Sequence, residues 1–170
     1  MLKGIINFIK ALNGNLKKSQ IAAGAAWGVL LGLVPLSNPF GIVLFIISFF
    51  FNHNHASKII GLAVVKILSM MILPQLDVLG WWILNIDSLQ PLFTAMYNMP
   101  FVPFTRFNNT LVMGGLAAGI ILWLPIFIFF MVFIPLYRKY ISSKLKESKF
   151  VKKLAQVPII GSLGKMFTNY

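Results

Sequence analysis

Acidic side chains are nearly absent from this sequence: its 170 residues include three, Asp77, Asp87 and Glu147. Cysteine is absent altogether. Without cysteine there is no disulfide framework and no thiolate metal site. With so few scattered acids, acid–base and metal-assisted hydrolysis lack their material, and no Ser/His/Asp set, P-loop or HExxH motif occurs. His53 and His55 form a His-x-His pair, but no carboxylate or cysteine stands near them, so they read as loop residues rather than metal ligands. We therefore expect no catalytic residue, no metal and no cofactor. Charge of either sign is also scarce. Only 11% of residues are charged, and none lies between Ser19 and Ser57. A soluble domain carries about 25% charge and about 45–50% apolar residues. This chain is 58% hydrophobic, too much for one soluble core of this length. The class expected is an all-α, polytopic helical membrane protein with one membrane domain.

The charge that is present is mostly positive and sits at the ends. Lys3, Lys10, Lys17 and Lys18 precede the first apolar run. Arg138, Lys139, Lys144, Lys146, Lys149, Lys152, Lys153 and Lys165 follow the last. The positive-inside rule places both termini of a multi-pass membrane protein in the cytoplasm. These cations flank apolar segments and carry no nucleic-acid motif, so anionic lipid of the bilayer is the expected partner and nucleic acid is not. No short apolar core with a small-residue cleavage site opens the chain, so no removable signal peptide is expected.

Residues 1–18 place Leu2, Ile5, Ile9, Leu12 and Leu16 on one helical face and Lys3, Lys10 and Lys17 on another. That pattern predicts a basic amphipathic helix in the membrane interface. The tail, 138–170, reads as a second basic amphipathic stretch, ended by Pro158 and Gly161. Between them, 19–137 is the membrane domain.

The stretch 19–51 is the unusual one. Its centre reads Gly-Leu-Val-Pro-Leu-Ser-Asn-Pro-Phe-Gly, poor material for a helix interior. At 1.5 Å per residue, Ile21 to Val34 makes about 21 Å of helix and Phe40 to Phe51 about 18 Å. Neither half crosses a hydrocarbon core of about 30 Å alone. A broken or re-entrant helical hairpin is one reading, and two thin crossings the other; both return the chain to its starting side. Gly24, Gly28 and Gly32 recur at every fourth residue and predict a close helix-packing face. Two further spans follow at about 59–84, broken at Pro74, and about 110–137, which Pro125 is expected to kink. Aligning Pro35 with Pro125 pairs Gly24 with Gly114, a faint internal repeat, but the second copy lacks the Ser-Asn-Pro tip.

Two places can carry chemistry. Backbone groups freed by proline at membrane depth must be buried in protein or line a wet cavity, which predicts that the tip from Pro35 to Gly41 is enclosed. Ser37 and Asn38 are suited to cap the second half-helix, with Pro39 in its first turn. A helix N-terminus there can bind a lipid phosphate or a substrate carboxylate; the alternative is a static cap. Lys66 is the one charge well inside an apolar run, hence a functional candidate or a snorkelling side chain. Pro35, Ser37, Asn38, Pro39 and Lys66 are the candidate lipid- or substrate-binding set. The outer segment 85–109 is unusually apolar for a loop, and Phe93, Tyr97, Phe101 and Arg106 are its candidate partner-docking residues.

The run from Ser19-Gln20-Ile21-Ala22 through Ala26-Trp27-Gly28 and Gly32-Leu33-Val34-Pro35, with Asn52 after the second half, resembles a bacterial membrane family called domain of unknown function 2062. Thr105-Arg106-Phe107-Asn108-Asn109-Thr110, then Gly114, resembles a smaller uncharacterised family within that group. The resemblance implies an inner-membrane protein of unassigned activity. It also implies one half of a two-gene pair whose larger envelope partner is likened to lipid-carrying periplasmic bridges. The expected function is a non-enzymatic inner-membrane subunit of an envelope complex that assists lipid transport with that partner. The alternative is a small channel or secondary transporter that uses the broken helices and Lys66, with a homo-oligomer open to either.

Overall fold

The computed structural model describes residues 17–142, and every regular element among them is helical. Two helical runs, His55–Leu84 and Thr110–Tyr140, are long and apolar enough to cross a membrane. The amphipathic helices expected at 1–18 and in the tail lie outside the described residues, apart from Lys17, Lys18 and the first residues after Leu136.

Helix α1, Lys18–Leu33, is the central strut. Its alanines and leucines are strong helix formers, and it is apolar on every side, the pattern of a helix enclosed by others. Pro35 ends it by forcing Val34 into extended backbone, with φ −80° and ψ 135°. Helix α2, Pro39–Ile47, extended by a 3-10 turn at Ser48–Phe50, brings the chain back. Its return is fixed where the Asn54 amide donates to the Gln20 carbonyl at 2.8 Å. The chain thus folds as a hairpin, although α2 leaves Ile42, Val43 and Ile46 exposed instead of packing tightly on α1.

Helix α3, His55–Ser69, runs parallel to α1 along the glycine face. Gly24 meets Asn54 and Ser57, Gly28 meets Lys58 and Gly61, and Gly32 meets Val65. A Cβ on Gly28 would come within 2.9 Å of the Gly61 Cα, so the two backbones touch with no side chain between them. A 3-10 turn at Met70–Ile72 leads into α4, Leu73–Leu84. The break expected at Pro74 falls just before it. Pro74 sits in the first turn of α4, where its missing N–H costs nothing, and the preceding turn tightens instead.

The segment 85–109, expected as a loop, folds into a 3-10 turn at Asp87–Leu89, helix α5 at Gln90–Tyr97 and a second 3-10 turn at Val102–Thr105. Helix α6, Thr110–Leu136, runs antiparallel to α1, with Gly115 on Leu33, Gly119 on Leu30, and Ile134 packed with Ile21 and Ala22. Its first turns also hold α4: a methyl on Gly80 would strike the Thr110 carbonyl, and one on Gly114 the Leu76 carbonyl. Asn109 caps it by accepting from the Val112 amide at 3.2 Å. Helix α6 continues unbroken through Pro125 and Pro135, whereas α1 stops before Pro35, so the Pro35/Pro125 alignment has no structural counterpart.

Candidate functional site

The hairpin tip is built by local capping. Asn38 takes extended backbone, and its Oδ1 accepts from the Phe40 amide at 3.0 Å. Pro39 occupies the first turn of α2, and the Asn38 amide donates to the Pro35 carbonyl at 3.2 Å. Gly41 lies against the Pro35 carbonyl, and a Cβ there would stand 3.1 Å from the Leu36 Cα. From α3, Lys66 reaches across and its Nζ donates to the Val34 carbonyl at 3.0 Å. An ammonium at the negative end of a helix is doubly favourable, since it satisfies an orphan carbonyl and opposes the macrodipole. Lys66 therefore binds the carbonyl of Val34, the residue just before the Pro35–Pro39 break.

Two expectations about the tip are corrected. Ser37 is exposed and caps nothing; Asn38 alone does that work. Nor is the tip enclosed by this chain, since Ser37 and Pro39 are exposed while Pro35 and Leu36 are half-buried. The physical reason is that α2 splays from α1. The freed polar groups are satisfied locally, by the Asn38 cap and the Lys66 amine.

Among the described residues, the fully buried cation is a different lysine. The segment from Asn52 to Lys58 is polar in sequence, yet Lys58 is fully buried. Its Nζ donates to the Ser48 Oγ at 2.8 Å, and the Ser48 hydroxyl in turn donates to the Phe45 carbonyl at 2.6 Å. The ammonium stands 3.8 Å from the Phe49 ring centroid and 4.9 Å from that of Phe45, so cation–π attraction replaces water. The two described acids lie elsewhere: Asp77 accepts from the Thr110 hydroxyl, and Asp87 follows α4. One signal in the sequence marks Lys58. Asn54-x-x-Ser57 is a capping pattern, and the Asn54 Oδ1 accepts from the Ser57 amide at 2.9 Å. That starts α3 at His55 and places Lys58 one turn in, beside the returning arm of the hairpin.

Beside Lys58, His53 is only 8% exposed, and neither ring nitrogen has a hydrogen-bond partner. It stacks on Trp27, centroids 6.3 Å apart, and meets His55 edge-on at 4.8 Å. Burial first, then the nearby charges of Lys58 and His55, push its pKa down to about 4. The Phe51 backbone opposes this slightly, at a geometry short of a hydrogen bond. Among the described residues no cluster of three metal-binding side chains forms. The arrangement can hold a positive charge out of water and pin the hairpin arm to α3.

One similar protein is an uncharacterised protein of Treponema pallidum (strain Nichols). It is 29% identical over 159 residues, which cover 94% of this chain and 98% of that protein. No family model matches the chain, and no solved structure matches it.

The segment 85–109 separates its predicted residues. Phe93 is half-buried and turned onto Phe107, with centroids 6.4 Å apart. Tyr97 and Arg106 are exposed, and Phe101 is 80% exposed. Phe104, 77% exposed, was not singled out by sequence because nothing in Phe-Val-Pro-Phe tells which aromatic turns outward. Phe101 and Arg106 have φ of 70° and 52°, a left-handed backbone unusual for either residue. Gly24, Gly28 and Gly32 all lie in the α1–α3 contact.

Proposed function

We propose that this protein is a non-enzymatic, multi-pass subunit of the bacterial inner membrane, with both termini cytoplasmic. On this reading it belongs with the domain of unknown function 2062 group, and it assists lipid transport by docking a larger envelope membrane protein. The hairpin 19–51 is then re-entrant, with its tip inside the bilayer. The two long apolar runs support the membrane setting, and the basic residues flanking them support the orientation.

The observation that carries the docking role is the outer segment. It turns Phe101 and Phe104 outward at the end opposite Lys17 and Arg138, on a backbone with two left-handed residues. A non-glycine residue held there costs about 1–3 kcal/mol and collects at ligand clamps and switch regions. An exposed apolar patch of this kind marks a protein or membrane contact.

A photo-reactive amino acid at Phe101 and, separately, at Phe104 tests the reading. Capture of one large envelope protein from both positions in native membranes is the expected result. Capture of phospholipid alone from both would sink the docking role.

A further inference from the structure

A cavity of about 330 Å³ opens between α3 and α6 on the side of α1 away from Lys58. Ala25 and Val29 form its floor, Ile60 and Val64 one wall, Phe130 and Phe133 the other. Gly61 completes the α3 wall without a side chain. The one hydroxyl on the lining, that of Ser57, is already directed at the Ile21 carbonyl at 3.0 Å and the Asn54 carbonyl at 2.9 Å. The occupant must therefore be apolar along its length.

The volume lies at the small end of the range of about 300–1,000 Å³ typical of ligand sites. The lining offers no free polar group, so an acyl chain suits its chemistry and any headgroup must sit at an end. The cavity also has a direction. Phe133 stands five residues, about 7.5 Å along a helix, before Arg138. Lys17, Lys18, Arg138 and Lys139 all lie at this end, while the described acids Asp77 and Asp87 lie on or beyond α4.

We propose that this groove holds one acyl chain of an anionic phospholipid, with the headgroup phosphate at the basic rim. The inference names a ligand for the proposed function and rests on that reading for its membrane setting.

The full chain is reconstituted in nanodiscs of phosphatidylglycerol and phosphatidylethanolamine in equal parts, released into detergent and weighed by native mass spectrometry. One retained phosphatidylglycerol per chain is expected. Val64→Trp and Val29→Phe, which fill the groove, should each cut retention about tenfold. Ile121→Trp, on an exposed face outside the lining, should leave it unchanged. Val64 is 51% exposed, so the larger ring fits without disturbing the helix, and circular dichroism checks this. Replacing Lys17 and Lys18 by Gln should keep a lipid bound but lose the preference for phosphatidylglycerol. Equal retention by Val64→Trp and the wild type overturns the proposal. So does a dimer without lipid that Val64→Trp dissolves. No lipid retained by the wild type beside intact capture at Phe101 sinks the groove alone; lost capture beside lipid retained by the wild type sinks the docking role alone.

Discussion

The amine of Lys66 donates to the carbonyl of Val34 across 32 positions of sequence, at 3.0 Å. One side chain thus closes the end of a helix that its own chain direction has broken. It also ties α3 to the hairpin at the depth where proline leaves carbonyls unpaired.

Lys66→Met should remove that tie and cost about 1.5–3 kcal/mol, the range for a hydrogen bond from a charged donor. Lys66→Arg should recover most of it. Unfolding by added SDS, followed by circular dichroism, reads both. Equal stability of Lys66→Met and the wild type would show that the Val34 carbonyl needs no cap.

Ser48 and Lys58 should prove coupled. Ser48→Ala leaves a buried ammonium facing two aromatic rings alone and should destabilise by about 1.5–3 kcal/mol. Lys58→Met removes the charge and fills similar space, so it should be neutral or stabilising. In the double variant Ser48→Ala should become nearly silent. A double-mutant cycle with no interaction energy would place the lysine elsewhere.

His53 makes stability depend on pH. Its pKa falls from the usual 6.5 to about 4 on folding, so the unfolded chain binds the extra proton between those values. The stability from keeping this ring neutral is fully present above about 6.5 and is lost as pH falls toward about 4. His53→Phe should flatten the unfolding midpoint across that window while Trp27 keeps an aromatic neighbour. A midpoint that still falls equally in the variant would assign the effect to another group.

Gly114→Ala should separate α4 from α6, because the new methyl meets the Leu76 carbonyl. A cost of about 1–3 kcal/mol is expected. Gly119→Ala meets the Leu30 backbone and side chain at 3.0 Å, where neighbours give more easily, and should cost less. The reverse order, in the same SDS titration, would contradict the packing described.

Much of the architecture was legible because long apolar helices announce themselves by what they exclude. The absence of charge from Ser19 to Ser57 and the prolines at 35 and 39 located the break, and the glycine register 24/28/32 located the face that α3 covers. Side-chain fate was less legible. Lysine is read as surface by default, and the burial of Lys58 depends on Phe45 and Phe49, which arrive from another helix. Enclosure of the tip was expected from a rule about backbone groups, and the chain meets that need with a cap and an amine instead. The Gly80–Gly114 contact escaped notice because neither residue belongs to a glycine series on its own helix that spans the contact.

The position of α1 bears on how the chain can be assembled. It is made before α3 and α6, yet those helices supply nearly all its neighbours and, through Lys66, the cap on its end. When it first leaves the ribosome, its glycine face is bare and the Val34 carbonyl is open. The hydrogen bond from the Asn54 amide to the Gln20 carbonyl can form once the hairpin has turned, well before α6 exists. Of the described helices, the first to be synthesised is thus surrounded only when α6 is complete, and a nascent chain cut short before Thr110 would leave its core helix half-clothed.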